Sequence, residues 1–305
     1  MAAEKTQLHN RIESGKQLLL AESSPPKGAD PAALRDLART LAGKVHALGV
    51  SDNRDGVHMS ALAAAALIGA EGIEPIVHMT TRDRNRIALA SDCLGAQAMG
   101  IRNLLCTTGT HQTLGPCRSA KNVFDVDSIQ LLGICNSLGV DASPLGEDSF
   151  EGAGPLCLGS TASPFADPRE MQVIRLAKAV AAGSRFVITQ PVFDLERFAL
   201  WWEEVTKRGL HEKVAIIAGI RPLADADHAL AYAAKRPSPM IPAAALERIS
   251  AAGDKKGQRA AGIEIAVETV QRLAGLKGLR GFELRVDGEV DIAMELLEKS
   301  GLRID

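Results

Sequence analysis

This sequence predicts a single-domain (β/α)8 barrel, on three observations. Eight short apolar runs alternate with helical stretches along 305 residues. The runs are continuous rather than alternating apolar and polar, which fits strands buried on both faces of an all-parallel sheet. Their number and the chain length then favour closure into a barrel. A doubly wound sheet is the alternative, but no G-x-G-x-x-G follows the first run.

The elements follow in order. Residues 1–16 form a polar N-terminal extension, and the barrel is expected over 17–305. The first strand covers 17–22. Asp30 before Pro31 then marks a helix start, because proline at the first helical position lacks only a donor that would be unpaired anyway. A second strand over 45–51 leads through SDNRDG to a helix over 60–68. Residues 76–110 read as strand, helix and strand, a βαβ unit of the kind parallel strands require. Within it, Thr80 and Thr81 offer N-cap hydroxyls. Ile87, Ala90, Leu94 and Ala98 share a helix face, and Gly100 stops the helix.

A long connection over 110–127, rich in glycine, proline and polar residues, has the length of a functional loop. A helix over 128–138 precedes the fifth strand, PLCLGS, which is followed by TASPFADP and a helix over 168–182. The sixth strand, FVITQ, ends on Gln190, and its helix runs through Phe198 and Trp202. The seventh, VAIIAGI, ends at Arg221. Helices over 224–235 and 247–274, separated by PSPMIP, lead to the eighth strand, GFELRV, and a closing helix over 289–299.

Composition excludes several function classes. Lys plus Arg (35) nearly balance Asp plus Glu (37), which leaves no electrostatic footprint for nucleic acid or anionic membrane. No apolar run reaches membrane-spanning length. Cys93, Cys106, Cys117, Cys135 and Cys157 stand singly, without metal-ligand spacing. With a polar N-terminus that lacks a signal-peptide core, they suggest a cytoplasmic protein with reduced thiols. Aromatics make up 3%, so a flat cofactor would be held by aliphatic walls and hydrogen bonds.

In a barrel the active face lies at the C-terminal ends of the strands. That rule gathers Glu22, Ser51, Asp52, Asn53, His78, Thr108, Gly109, Thr110, residues 160–163, Gln190, Arg221, Arg285 and Asp287. The set contains no G-x-S-x-G serine, no histidine pair at metal spacing and no Walker loop. One carboxyl group, a histidine, an amide and several hydroxyls suit a site where a bound cofactor does the reacting. Glu22 ends a leucine run, so burial would raise its pKa and make it a general acid. The competing reading is a strand-end glutamate paired with a nearby Lys or Arg. Gln190 offers a donor and an acceptor to a heterocycle. His78 fits either a flavin contact or a structural histidine. Of Arg82, Arg84 and Arg86, at least two suit a solvated helix start better than a phosphate site. Phe124, Asp125 and Asp127 fit either a ribose contact or a helix cap. His228 reads as a helix-surface histidine within reach of a substrate.

PIVHMTTRDRN, GIRNLLCTTGT, NVFDVDSIQLL, FVITQPVFD and AGIRPL, in this order, resemble the methylenetetrahydrofolate reductases, in particular the short bacterial catalytic-domain form. The resemblance implies an FAD-containing barrel that reduces 5,10-methylenetetrahydrofolate to 5-methyltetrahydrofolate. By position, Glu22 matches the family's general acid and Gln190 the glutamine that bonds the pterin. His78 matches a flavin contact. Ser51 and Asp52 line the flavin pocket, while Thr108, Gly109 and the loop through Phe124 to Asp125 hold the flavin and its ribose and phosphates. His228 and Arg285 fall on the substrate side.

The chain also departs from the family. Thr110 stands where better-known members have an aspartate beside the flavin, and Ser163 and Asp167 replace a tyrosine and a histidine. Lys178, next to Ala179, keeps part of a basic pair that contacts the phosphates. No arginine of the last strand aligns with the one that meets folate, although Arg285 is near. These changes imply an altered flavin pocket or a different electron donor, either NAD(P)H or an iron–sulphur partner subunit in a hetero-complex. A non-catalytic subunit that binds folate or a partner is the alternative.

Overall fold

The computed structural model describes residues 5–138, 150–234, 241–287 and 289–305. Eight parallel strands close in sequence order: β1 (Leu18–Ser23), β2 (Ala47–Val50), β3 (Pro75–Thr80), β4 (Asn103–Thr107), β5 (Cys157–Ala162), β6 (Phe186–Pro191), β7 (Ala215–Ile220) and β8 (Gly281–Arg285). Around them lie α1 (Gln7–Glu13), α2 (Ala32–Leu41), α3 (Ala61–Ala70), α4 (Arg86–Ala98), α5 (Ser128–Leu138) and α6 (Arg169–Ala181). The chain continues through α7 (Leu195–Lys207), α8 (Leu210–Lys213), α9 (Ala226–Ala234), α10 (Ala243–Ser250), α11 (Lys255–Ala274) and α12 (Val290–Ser300). The single-domain (β/α)8 barrel expected from the sequence is the observed fold. Among the described residues, no helix is long and apolar enough to cross a membrane.

Alternation along the strands divides the core in two, since successive side chains point to opposite faces. Residues such as Leu19, Ala21, Val77, Met79, Phe282 and Leu284 face the helices and join the large outer core. Leu18, Leu20, Ala47, Ile76, Leu105, Cys157, Phe186, Ile188, Ala215 and Ile217 fill the barrel interior. The polar N-terminal extension carries α1, to which the sequence reading assigned no helix. Thr6 accepts from the His9 amide, and Leu8 packs into the interior cluster at the barrel's N-terminal end.

Three local expectations are corrected. The N-cap of α4 is Asn85, whose side chain accepts from the Ala88 amide, rather than Thr80 or Thr81. Those threonines are still tied to neighbouring strands: Thr80 N donates to Asp52 and Thr81 N to the Thr107 carbonyl. The helix therefore starts later and buries Leu89, Ala90, Cys93, Ala96 and Gln97, leaving Ile87 exposed. The stretch 247–274 is two helices, broken where Gly253 takes a left-handed φ of 80° and Asp254 caps α11 through the Gly257 amide. The proline-bearing connection over 237–242 lies mostly outside the described residues.

Candidate functional site

One strand position above the apolar interior, the inward side chains become polar. On β1 the inward series Leu18, Leu20 continues to Glu22, which has no exposed surface. On β8 the matching series is Gly281, Glu283, Arg285, and the parallel register sets Arg285 beside Glu22. Arg285 Nη1 lies 2.6 Å from Glu22 Oε2, and its Nε lies 2.8 Å from Glu283 Oε2. Arg54, from the β2–α3 loop, pairs with the other Glu22 oxygen and stands 4.0 Å from Asp287. Arg221, at the end of β7, pairs with Asp287 and bonds His228 Nε2 at 3.1 Å. Three carboxylates thus meet three guanidiniums in one buried cluster.

Each shift within the cluster has a physical cause. Burial pushes Asp287 up, but Arg54 and then Arg221 outweigh it and hold the carboxyl at about 2. Burial and the neighbouring Arg285 lower Arg54 to about 10. Burial raises Glu283, with Arg285 opposing. His78 falls well below its ordinary value, through burial first and then Arg54 and Arg285, so its imidazole is neutral.

One ring nitrogen of His78 and one oxygen from each of Glu22 and Glu283 lie within 4.8 Å of one another, a spacing that could hold a metal ion. Electrostatics argues against one. The carboxylates are already balanced by arginines, and a dication would add uncompensated positive charge to a buried volume. Gly49 makes room for the histidine: a Cβ there would sit 3.0 Å from His78 Nε2. His78 Nε2 and Gln190 Oε1 are buried without a hydrogen-bond partner among the described residues. The Glu22 oxygens have ion-pair contacts at close range but none at hydrogen-bond angles.

Beside this cluster lie the ends of β2, β3 and β4. Asp52 accepts from the Thr80 amide at 2.8 Å and pairs with Arg84, yet burial raises its pKa. Ser51 Oγ donates to Ser24 Oγ at 3.0 Å. Arg82 ties two loops together, donating to the Asn53 and Thr110 carbonyls at 3.0 Å each, while its amide donates to the Thr108 carbonyl. Gly109 has a left-handed φ of 83°, and a Cβ would meet the Thr80 methyl at 2.4 Å, so only glycine lets the chain pass this close. The Thr110 residue is exposed.

The structure therefore gathers Glu22, His78, Gln190, His228 and Arg285 at the barrel mouth, with Ser51, Asp52, Thr108, Gly109 and Thr110 alongside. Other predicted contacts are engaged elsewhere. Asp125 accepts from the Arg86 amide and pairs with its guanidinium, which holds the carboxyl at about 2. Exposed Phe124 is 6.3 Å from the His111 ring. Asp127 caps α5 through the Ile129 and Gln130 amides. Ser163 lies in the β5–α6 loop, where Asp167 is exposed and pairs with Arg197. Lys178 lies apart from these residues. It is exposed in the last turn of α6, and helices that follow parallel strands run back to the barrel's other end.

Arg54 and Glu283 are absent from the sequence-derived set. Glu283 was legible, because Phe282 and Leu284 face outward and leave 283 and 285 facing in. Arg54 sits in an irregular loop with no periodicity to place it.

Comparison with known proteins adds identity to this geometry. A Caenorhabditis elegans protein described as a probable methylenetetrahydrofolate reductase (NADPH) is 25% identical over 178 residues. The match spans 56% of this chain but only 24% of that relative, so the chain covers about a quarter of its length. Among solved structures, an uncharacterised Clostridium thermocellum protein that binds two copies of 5-methyl-5,6,7,8-tetrahydrofolic acid superposes with TM-score 0.65 at 14% identity. That superposition covers 97% of this chain and 100% of the other. An F420-dependent secondary alcohol dehydrogenase superposes with TM-score 0.53 at 14% identity, covering 93% and 99%. Both likenesses establish the fold. The family model for methylenetetrahydrofolate reductase matches residues 7–286, from α1 through every strand of the barrel, and the chain belongs to that family.

Proposed function

We propose that this protein reduces 5,10-methylenetetrahydrofolate to 5-methyltetrahydrofolate with FAD as its cofactor. The observation that carries the reading is Glu22, a fully buried carboxyl group at the family's acid position in the barrel mouth. Buried His78 Nε2 and Gln190 Oε1, both without a hydrogen-bond partner among the described residues, suit a heterocycle with its own donors and acceptors. The methyltetrahydrofolate bound by the C. thermocellum neighbour supports the substrate class.

The residues present fit a flavin on one side of the mouth. Gly109 lets the loop after β4 pack directly on Thr80, next to Thr108 and Thr110, and the unpartnered Nε2 of buried His78 stands with Ser51 and Asp52 at the neighbouring strand ends. Ser163 stands at the β5 end, and Phe124 and Asp125 lie farther along the loop. Asp167 and Lys178 do not fit. When bound, FAD supplies the hydride that the one-carbon unit receives. Gln190 orients the pterin, and neutral His78 offers one hydrogen-bonding nitrogen. Glu22 gives a proton to the folate nitrogen whose bond to the one-carbon unit breaks.

The electron donor is NAD(P)H or an iron–sulphur partner subunit, the latter in a hetero-complex. One observation favours a second reading, a folate- or partner-binding subunit without turnover: exposed, uncharged Thr110 occupies the family's aspartate position. The test is the visible spectrum of the purified protein after anaerobic FAD addition, followed by NADH. Bound flavin and folate reduction with an artificial reduced donor are expected, and bleaching by NADH makes a partner unnecessary. Failure to take up FAD overturns the flavin reading, and bound flavin without folate reduction leaves the second one.

A further inference from the structure

Both Glu22 oxygens are held by arginines, but the two arginines differ in freedom. Arg285 is part of β8, 11% exposed, and shares its guanidinium with Glu283. Arg54 hangs from the β2–α3 loop with a quarter of its side chain exposed. The loop itself is pinned on both sides. Asn53, at a left-handed φ of 46°, accepts from Arg82 through its carbonyl and from the His58 amide through its side chain. His58 Nδ1 lies 2.6 Å from the Pro25 carbonyl, and the Met59 amide donates to Pro26. The Arg54 side chain, a quarter exposed, reaches into the mouth from this held backbone. A second anionic seat is already near, with Asp287 Oδ2 at 4.0 Å.

We propose that Arg54 is a positioning residue for Glu22, a latch that keeps the carboxylate ionised until folate displaces the guanidinium toward Asp287. The inference rests on the reductase reading for the role of Glu22, while the latch belongs to the unliganded chain. The proton balance is simple. With Arg54 paired to Glu22, the carboxylate holds no proton. When the guanidinium leaves, Glu22 takes one proton from solvent and delivers it to the folate ring nitrogen. The bond from that nitrogen to the one-carbon unit breaks, its electron pair stays on the nitrogen, and Glu22 returns to carboxylate.

The other groups facing Glu22 do not perform this exchange. His78 is neutral and buried, Glu283 is already engaged by Arg285, and Asp287 is a carboxylate held by Arg221. Arg285 stays when Arg54 leaves, so the acid retains one nearby cation and does not become inert.

Two measurements test the latch. In the unaltered protein without a reductant, binding of 5,10-methylenetetrahydrofolate, followed by calorimetry in buffers of different ionisation heat, is expected to take up about one proton. Zero uptake on clear binding overturns the proposal. Second, infrared titration of the Glu22 carboxylate, assigned by its loss in Glu22→Gln, is compared in Arg54→Met and Arg54→Lys. Removing one nearby cation is expected to raise the midpoint by about 1 pH unit or more, with lysine restoring it. The falling limb of the pH–rate profile should move with it. A folded Arg54→Met protein with an unmoved midpoint also overturns the latch. A shifted midpoint in a protein that binds no folate leaves the latch standing and removes the reductase reading.

Discussion

The two halves of the barrel interior are built by the same strand alternation and end in opposite chemistry. Toward the N-terminal end, Leu18, Leu20, Ile76, Leu105, Phe186 and Ile217 form an apolar plug closed by Leu8 of α1. Gly159 accommodates the Phe186 ring, since a Cβ there would lie 2.3 Å from it. Above the plug, β1, β3 and β6 present Glu22, His78 and Gln190, while β8 brings Glu283, level with Leu20, and Arg285, level with Glu22. The lower half takes its stability from packing, which is local and insensitive to pH. The upper half is a balanced set of buried charges, where each member is costly to remove singly and the set adds little net stability. A stable lower half lets the upper half carry groups chosen for chemistry.

The sharpest way to break this comparison is Glu22→Gln. It removes a proton donor while keeping shape, so folate reduction with a reduced artificial donor should fall about 10²–10⁴-fold. Flavin uptake should persist. Loss of fold instead would show that the upper half is structural. The complementary change is Phe186→Ala, which empties the centre of the plug. A fully buried aromatic deletion costs about 3–5 kcal/mol, read as a lower denaturation midpoint. Folate affinity of the folded fraction should remain, because no mouth residue is touched.

A smaller effect separates the halves by pH. Asp287 titrates at about 2 in the folded chain, below its ordinary 3.8. A carboxyl group with a lowered folded pKa contributes stability above its unfolded pKa, and loses it as pH falls through the folded value. That contribution, on the order of 2 kcal/mol, should therefore disappear between about pH 4 and pH 2. In Asp287→Asn the drop across this window should be smaller by about that amount, because Asp125 and other paired carboxylates still titrate there, whereas Phe186→Ala should lower stability equally across it. An unchanged acid profile in Asp287→Asn would mean that Arg54 and Arg221 do not hold this carboxylate.

The sequence carried the fold well, because continuous apolar runs followed by helices leave little choice of topology. It located the mouth through strand ends: Glu22, His78 and Gln190 each end an inward series whose earlier members are apolar. The ion network was harder to see. Its members come from β1, β8 and the segments after β2, β7 and β8, and the register of β1 against β8 joins first and last strands across almost the whole chain. Glu22 is both buried and paired with arginines, since burial of a carboxylate at this site requires the pairing, and its role as an acid belongs to the proposed function. Residues transferred by family position alone are the least legible from local pattern where they lie on helices or exposed loops, as with Lys178 and Asp167.

Lys178 provides the smallest expected effect and the cleanest control on the boundary between site and scaffold. Its side chain is exposed on the outer surface, at the end of α6 remote from the mouth. Surface substitutions away from special features usually stay within about 0.5 kcal/mol. Lys178→Ala should therefore leave both the denaturation midpoint and flavin affinity unchanged. If it weakened flavin binding several-fold, a phosphate-binding surface would extend down the outside of the barrel. The C-terminal strand ends would then be only part of the site, and the contrast between a chemical upper half and a structural lower half would have to be redrawn.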